Sequence, residues 1–268
     1  MKNISSNPIG IFDSGIGGLT VTHAITKVLP NENIIYFGDT AHLPYGDKSV
    51  KTIQARAIAI CDFLLSKNCK MILIACNSAS AAAYDLVNKQ FGSKIKIFNV
   101  IDPIIQYVSE KHSDQTVGLI GTWQTVNSNV YQKKLRKLNS SIKLNSLATP
   151  LLAPMIEEGF CHNKIAEDTI NEYLSNSLLQ NIETLILGCT HYPIIRDEIE
   201  KFYANKVNII DTTEVVALAV KKHLKKNNLK NDSKRTLLNC YISDYNDYFI
   251  LAAERFFGQP VNLEYCSI

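Results

Sequence analysis

The 268-residue sequence lacks the features that mark secreted, membrane-spanning and disordered proteins. No apolar run approaches the roughly 18 residues that a membrane span needs. The N-terminus shows neither a long apolar core nor a cleavage pattern, so we expect no secretory signal. The seven cysteines are odd in number and include no C-x-x-C pair, which argues against a disulfide framework and a structural zinc site. We therefore expect a folded protein of the reducing cytoplasm.

The charge pattern gives little reason to expect a polyanionic partner. The formal net charge is only +3, and 46% of the residues are hydrophobic, enough for a sizeable core. The stretch Lys221–Arg235 holds seven Lys and Arg residues but no interleaved aromatic residue that could stack on a base. We interpret it as a solvated helix end and surface loop, and we expect neither nucleic acid nor membrane as a partner.

Short apolar runs alternate with helical patterns along most of the chain. The segment Ser49–Lys67 has apolar residues at three- and four-residue steps, with Ser49 as a plausible N-cap. Continuous apolar runs are typical of parallel strands buried on both faces. The predicted strands are Ile9–Phe12, Ile34–Phe37, Met71–Ala75, Ile95–Val100, Val117–Ile120, Thr184–Leu187 and Val207–Ile210. The alternation predicts an α/β fold with mainly parallel sheets.

Two segments resemble each other and suggest an internal duplication. Ile72–Ser80 reads ILIACNSAS and Leu185–Tyr192 reads LILGCTHY, so each has a buried strand, a small residue and then a cysteine. A helical pattern follows Cys76, and another follows Cys189 with Pro193 at a first-turn position. Ligands of open α/β sheets bind beyond the carboxyl ends of strands, and a helix start stabilises a thiolate. Both thiols are therefore candidate acid/base groups.

A matched pair of thiols suits the chemistry of racemisation. One group removes the α-proton of an amino acid from one face, and a second group returns a proton to the other face. Without an electron sink such as pyridoxal phosphate, the protein itself must stabilise the carbanion-like state. The alternative is that these cysteines, like Cys61, Cys69 and Cys240, are small buried hydrophobic residues.

The segment Phe12–Leu19 reads FDSGIGGL and places three glycines before a helical pattern. Such a loop can present backbone N–H groups to an anion, and Asp39 after the next strand could serve as a ribose-binding acid. However, Thr20 occupies the place of the third glycine in a dinucleotide motif, and Asp13 would repel a pyrophosphate. A carboxylate there instead suits an ammonium group or the proton of a thiol.

A second loop follows the next predicted strand. Phe37–Lys48 reads FGDTAHLPYGDK, in which Pro44, Tyr45 and Gly46 form a stiff turn. The turn is either an ordinary connection or a source of backbone donors for a substrate carboxylate.

The order and spacing of five motifs resemble the glutamate racemase family, which belongs to the aspartate/glutamate racemases. The resemblance runs from Ile9 to about Ala217. The motifs are FDSGIGGLTV (Phe12–Val21), GDTAHLPYG (Gly38–Gly46), ACNSAS (Ala75–Ser80), LIGTWQTVNSNVY (Leu119–Tyr131) and LGCTHYP (Leu187–Pro193).

The resemblance implies a role for each candidate residue. Cys76 resembles the acid/base group acting on D-glutamate, and Cys189 the one acting on L-glutamate. Asp13 resembles the carboxylate that assists Cys76, while His191 and Glu157 resemble the pair that assists Cys189. The substrate contacts implied by the family are Asp13, Ser14, Pro44, Tyr45, Gly46, Asn77, Ser78, Thr190 and His191. No metal and no cofactor are expected.

The resemblance also implies the organisation of the chain. Two similar α/β domains are expected, with the active site in the cleft between them. The first domain comprises residues 1–98 plus 212–268 and carries Asp13 and Cys76. The second comprises residues 99–211. The family supplies D-glutamate for bacterial peptidoglycan, and its members are commonly homodimers, so we expect a homodimer here.

The sequence departs from the family pattern in three places. His42 stands where the family usually has Arg, Ser78 replaces the common Thr, and residues 239–245 match a family turn poorly. Three other functions stay open from the residues alone. They are a racemase for aspartate or another amino acid, a Cys-dependent hydrolase or transferase, and a binding module without catalysis.

Overall fold

The computed structural model of the protein describes residues 4–233, 236–245 and 247–268. Its first sheet has the strand order β10-β9-β2-β1-β3-β4, and all of its neighbouring strands are parallel. These strands are β1 (Ile9–Asp13), β2 (Ile34–Gly38), β3 (Met71–Ile74), β4 (Lys96–Asn99), β9 (Leu238–Ile242) and β10 (Leu263–Tyr265).

The second sheet has the order β6-β5-β7-β8 and is also parallel throughout. Its strands are β5 (Thr116–Gly121), β6 (Lys143–Ala148), β7 (Thr184–Gly188) and β8 (Asn208–Ile210). The first four strands of the other sheet follow the same spatial order, β2-β1-β3-β4. The two sheets therefore share one winding pattern, as the similarity of the two cysteine segments predicts. The predicted α/β class with two mainly parallel sheets is confirmed.

All seven predicted strands are present, with ends that differ by at most one residue. The strands β6, β9 and β10 have no counterpart among the predictions. The prediction relied on continuous apolar runs, whereas β6 reads KLNSLA and β9 reads LNCYI. Strands at or near a sheet edge keep one side partly in solvent and tolerate polar residues.

Helices cover the faces of both sheets. The helices are α1 (Leu19–Val28), α2 (Val50–Ser66), α3 (Asn77–Phe91), α4 (Ile101–Lys111), α5 (Trp123–Asn127), α6 (Val130–Leu138), α7 (Leu152–Glu157), α8 (Lys164–Leu174), α9 (Arg196–Phe202), α10 (Thr212–Lys226) and α11 (Asp247–Phe257). The predicted cap of α2 is confirmed, since the Ser49 side chain accepts a hydrogen bond from the Thr52 amide. Within the described part of the chain, no helix is long and apolar enough to cross a membrane.

One local prediction needs correction. The segment after Cys189 is a 3₁₀ turn, Tyr192–Ile195, which contains Pro193, and α9 begins only at Arg196.

The divergent segment 239–245 has regular structure, because most of it belongs to β9, which pairs in parallel with β2. The basic stretch begins on the exposed last turns of α10, while its final residues, Lys234 and Arg235, lie outside the described residues.

A buried ion pair lies at the amino-terminal ends of the strands of the first sheet, opposite to the carboxyl-terminal end that carries Cys76. The side chains of Lys70 and Glu32 are 0% and 1% exposed, and the Lys70 ammonium donates to the Glu32 carboxylate. The same ammonium donates to the carbonyls of Ser5 at 2.6 Å and Leu229 at 2.8 Å. Glu32 in turn accepts a 2.8 Å bond from the Asn231 amide. Three distant parts of the chain therefore meet at one charge.

We expect Lys70→Met to lower the free energy of unfolding by about 3–5 kcal/mol, because it leaves the Glu32 carboxylate buried without its cation. The matched control is Lys134→Met. Lys134 pairs with Asp102 on the surface, where the two side chains are 33% and 42% exposed, so its loss should cost about 1 kcal/mol or less. Urea denaturation of both variants checks the prediction. Equal midpoints would contradict it.

Candidate active site

The carboxyl ends of the two sheets line one narrow cleft. From the first sheet come Ser14, after β1, and Cys76, after β3; from the second come Thr122, after β5, and Cys189, after β7. The full lining comprises Ser14, Pro44, Tyr45, Gly46, Cys76, Asn77, Ser78, Thr122, Ala153, Pro154, Glu157, Cys189, Thr190 and His191. The structure thus brings together every predicted site residue except Asp13, which lies directly behind this surface.

Cys76 lies at the start of α3, where it is 5% exposed. Its sulfur accepts a hydrogen bond from the Ala79 amide at 3.4 Å, and its thiol lies 3.7 Å from the Ser14 hydroxyl. Burial raises the pKa of the Cys76 thiol to about 12, and the charge of Asp13 adds to this effect. The amide of the helix start acts in the opposite sense but is the smaller influence. Cys76 is therefore a protonated thiol at neutral pH.

Asp13 is the last residue of β1 and is fully buried. Its carboxylate accepts a 3.0 Å bond from the Gly15 amide and a 3.5 Å contact from the Thr190 hydroxyl. Burial raises the pKa of Asp13, although the positive charge of His191 and the loop amides oppose the change. Ser14 contacts both the Asp13 carboxylate, at 3.5 Å, and the Cys76 sulfur. This serine links the predicted assistant to its thiol.

Cys189 belongs to a connected chain of three side chains. Its sulfur lies 3.5 Å from Nδ1 of His191, and Nε2 of His191 lies 2.8 Å from the Glu157 carboxylate. Burial by itself lowers the pKa of His191, but the Cys189 sulfur and the Glu157 carboxylate raise it more, so that it lies well above its ordinary value. The imidazole can thus hold a proton between a sulfur and a carboxylate.

The approach of His191 to the first sheet requires a glycine. A Cβ atom on Gly17 would lie 2.4 Å from Cε1 of His191, so any side chain there would displace the ring. The glycine loop after β1 therefore makes room for the imidazole. The Thr20 hydroxyl donates to the carbonyl of Thr190 at 2.9 Å and joins the two cysteine-bearing parts of the site.

Helix α11 holds the end of α7, where Glu157 is located. The Arg255 guanidinium donates to the carbonyls of Ile156 at 3.2 Å and Glu157 at 3.1 Å, and the Tyr248 hydroxyl also donates to the Glu157 carbonyl. The ring of Phe256 packs edge-on against His191 with a centroid distance of 5.0 Å. Helix α11 thus supports both the backbone at Glu157 and the imidazole ring of His191, which the Glu157 carboxylate contacts.

The opposite wall of the cleft offers neutral donors. The Ser78 hydroxyl lies 2.8 Å from that of Thr122, and the buried Tyr131 hydroxyl donates to Oδ1 of Asn77 at 2.8 Å. This bond fixes the orientation of the Asn77 side chain, with its oxygen as the acceptor from Tyr131. A Cβ atom on Gly46 would lie 2.9 Å from that of Thr122, so this turn closely contacts the second sheet's loop.

Three lining residues were not predicted from the sequence: Thr122, Ala153 and Pro154. A signal for Thr122 existed, because it follows β5, the strand whose loop corresponds to that of Asp13 in the duplication. Ala153 and Pro154 lie on the short helix α7 and carry no chemical signature in the sequence. Among the described residues, no cluster of three or more His, Cys, Asp or Glu side chains could hold a metal ion.

The arrangement defines a class of acid/base site in which two thiols reach one cleft from two parallel sheets. Each thiol is connected to a carboxylate of its own. Ser14 links Cys76 to Asp13, and His191 links Cys189 to Glu157. Comparison with known proteins agrees with this class. The family model described as Asp/Glu/Hydantoin racemase matches residues 9–220. The chain belongs to this family.

Several of the similar proteins are glutamate racemases. That of Chlorobaculum parvum is 41% identical over 249 residues, which cover 92% of this chain and 91% of that protein. The structure of glutamate racemase from Francisella tularensis in complex with D-glutamate is 40% identical, with a TM-score of 0.91 and 98% of each chain covered. Glutamate racemase isoform RacE1 from Bacillus anthracis has a TM-score of 0.93 at 31% identity, again with 98% of each chain covered.

The chain of contacts at His191 predicts how its titration responds to substitution. Glu157→Gln should lower the pKa of His191, because the neutral amide no longer stabilises the imidazolium. The charged imidazole should then be lost at a lower pH than in the unmodified protein. NMR titration of labelled histidine measures this midpoint, with the exposed neighbour Glu158→Gln as the matched control. Identical midpoints in both variants would contradict the contact.

Proposed function

We propose that this protein interconverts L-glutamate and D-glutamate by a two-base mechanism that uses Cys76 and Cys189. The observation that carries the proposal is the pair of thiols in one cleft, each connected to a carboxylate of its own. The similar proteins named glutamate racemase, one of them bound to D-glutamate, support glutamate as the substrate. This activity would supply D-glutamate for peptidoglycan in the bacterial cytoplasm.

In the direction from L-glutamate, Cys189 acts as the base. Its thiolate takes the α-proton, so that the Cα–H bond breaks and an S–H bond forms. The electron pair remains on the α-carbon and is delocalised into the adjacent carboxylate. His191 stabilises the thiolate before the transfer, and Glu157 holds the imidazole in place.

Cys76 completes the reaction from the opposite face. Because its pKa of about 12 keeps it protonated at neutral pH, it is ready to donate a proton to the α-carbon. The product is D-glutamate, with Cys76 left as a thiolate and Cys189 as a thiol. The reverse reaction starts from this state. Asp13, linked to Cys76 through Ser14, is placed to accept or return the Cys76 proton.

Donors around the cleft bind the two carboxylates of the substrate. We assign the backbone of Pro44–Gly46, the Asn77 amide and the hydroxyls of Ser78 and Thr190 to this role. Ser14 lies on the side of Cys76, where its hydroxyl can accept from the substrate ammonium, and the buried Asp13 carboxylate accepts from Ser14 behind the cleft surface. Oriented donors that meet the developing charge of the carbanion stabilise it without reorganisation.

The proposal includes the organisation of the chain. We assign residues 1–98 and 212–268 to one domain and residues 99–211 to the other, which is supported by the division of the strands between the two sheets. By analogy with the family, we also propose a homodimer, which light scattering of the purified protein would test.

The first test is proton NMR of the protein with L-glutamate in D₂O, without added cofactor. The α-proton signal should disappear as D-glutamate forms. Cys76→Ala and Cys189→Ala should each lower turnover by at least about 10²–10⁴-fold, the contribution of one general acid or base. Cys61→Ala is the matched control, because Cys61 is a fully buried cysteine on α2 outside the cleft.

The outcomes of this test separate the alternatives. Exchange with aspartate but not glutamate would keep the mechanism and change the substrate. No exchange with any amino acid would reject a racemase. Activity that depends on Cys76 alone, with a covalent intermediate, would indicate a hydrolase or transferase.

The separate roles proposed for Glu157 and Asp13 predict opposite differences between the α-deuterium isotope effects measured with L-glutamate and with D-glutamate. L- and D-glutamate have equal free energies, so any variant must lower kcat/KM equally in both directions. Glu157→Gln slows the step at Cys189 and should raise the α-deuterium isotope effect with L-glutamate more than with D-glutamate. Asp13→Asn should show the reverse pattern. Rates with α-deuterated substrates measure it, and the same pattern in both variants would contradict the assignment.

A further inference from the structure

Asp39, which follows β2, is a fully buried carboxylate surrounded by donors. The Arg56 guanidinium reaches both of its oxygens at 3.0 Å. The Tyr45 hydroxyl donates at 2.5 Å, the Ser243 hydroxyl donates at 2.9 Å, and Nδ1 of His42 lies 3.0 Å away. The earlier possibility of a ribose-binding acid is incompatible with this environment, because the donors leave no oxygen of Asp39 free for a ligand.

The donors keep Asp39 ionised inside the protein. Burial by itself raises the pKa of Asp39. The hydrogen bonds from Arg56, Tyr45 and Ser243 together lower the pKa by more than burial raises it, so the pKa of Asp39 lies below its ordinary value. A buried charge is costly unless it is paired and hydrogen-bonded, and a two-bond contact with Arg also defines its geometry. Asp39 is therefore a rigid anchor.

The anchor holds one side of the turn Pro44–Gly46. The Tyr45 side chain is 1% exposed, and its hydroxyl is directed to Asp39. On its other side the turn contacts Thr122, since a Cβ atom on Gly46 would lie 2.9 Å from the Thr122 Cβ. The turn is thus located between a carboxylate of the first sheet and a loop of the second.

The divergent C-terminal segment fastens the beginning of the same loop. The Ser243 amide donates to the Gly38 carbonyl at 3.0 Å, and its hydroxyl accepts from the Ala41 amide at 3.0 Å. The Thr40 hydroxyl donates to the Asp244 carbonyl at 2.6 Å and accepts from the Asp244 amide at 2.7 Å. Residues late in the chain therefore set the path of the loop that leads into the cleft.

We propose that Asp39, supported by Arg56 and Ser243, is a positioning residue that holds the turn Pro44–Gly46 in its substrate-binding position. The inference rests on the proposed function, in which this turn binds a substrate carboxylate. Asp39 itself does not touch the substrate. In this proposal the turn binds the side-chain carboxylate, whose charge is the same in the substrate and in the transition state, so displacement of the turn should raise KM and leave kcat nearly unchanged.

A purely structural role for Asp39 makes a different prediction. It would lower the melting temperature without a selective change in KM. The pair Glu32–Lys70 provides the matched control, because it is also a buried carboxylate–cation pair. It lies at the amino-terminal ends of the strands, far from the cleft. Glu32→Gln is expected to lower the melting temperature and to leave KM within about twofold of the unmodified protein.

The experiment compares Asp39→Asn, Tyr45→Phe, their double variant and Glu32→Gln by steady-state racemisation, with thermal melts. Asp39→Asn should raise KM for glutamate about tenfold or more, with kcat within about threefold, in line with the loss of hydrogen bonds to a buried charge. Tyr45→Phe should raise KM less. The double variant should resemble Asp39→Asn, because both substitutions break the same contact.

Each result decides the question. If Asp39→Asn melts at a lower temperature but keeps the KM of the unmodified protein, as Glu32→Gln should, the positioning role is wrong. If Asp39→Asn fails to fold, Tyr45→Phe and Ser243→Ala decide instead, because each removes one bond to the anchor; an unchanged KM in both overturns the proposal. Failure of the unmodified protein to racemise glutamate would refute the proposed function, a separate outcome visible before any variant is compared.

Discussion

The site depends on the parallel pairing of every strand in both sheets. Parallel strands all end at the same edge, so each sheet gathers several loops at one place. β1 and β3 bring Ser14 and Cys76 together, and β5 and β7 do the same for Thr122 and Cys189. With the carboxyl edges of both sheets at one cleft, two chemically similar thiols reach a common space from different parts of the chain.

The two thiols have unequal surroundings, and this difference has a physical origin. Cys76 caps a helix but is buried beside a carboxylate, and burial outweighs the single amide bond that the helix start supplies. Cys189 has no α-helix directly after it and relies on an imidazole bound to Glu157. In the proposed reaction one thiol is therefore prepared as an acid and the other as a base.

Support for the cleft comes from distant parts of the chain. Helix α11 holds the backbone at Glu157, and the segment after β9 holds the loop that leads to Tyr45. Both elements follow the second sheet in sequence and pack against residues of earlier segments. A departure from the family pattern in residues 239–245 is thus compatible with an ordered site, because most of its contacts with the loop use backbone groups together with Thr40 and Ser243.

The sequence by itself determined the α/β class, the seven strongly apolar strands and the cysteine, histidine and aspartate candidates. It could do so because continuous apolar runs and short motifs are local properties of the chain. The edge strand β6 and the next-to-edge strand β9 escaped prediction, since their partly polar sequences become strands only through pairing with a neighbour. Thr122 and the anchoring contacts of Asp39 were decided by the tertiary structure alone. Hydrogen bonds between residues more than 200 positions apart, such as that from Ser243 to Asp39, arise from packing and leave no trace in local sequence.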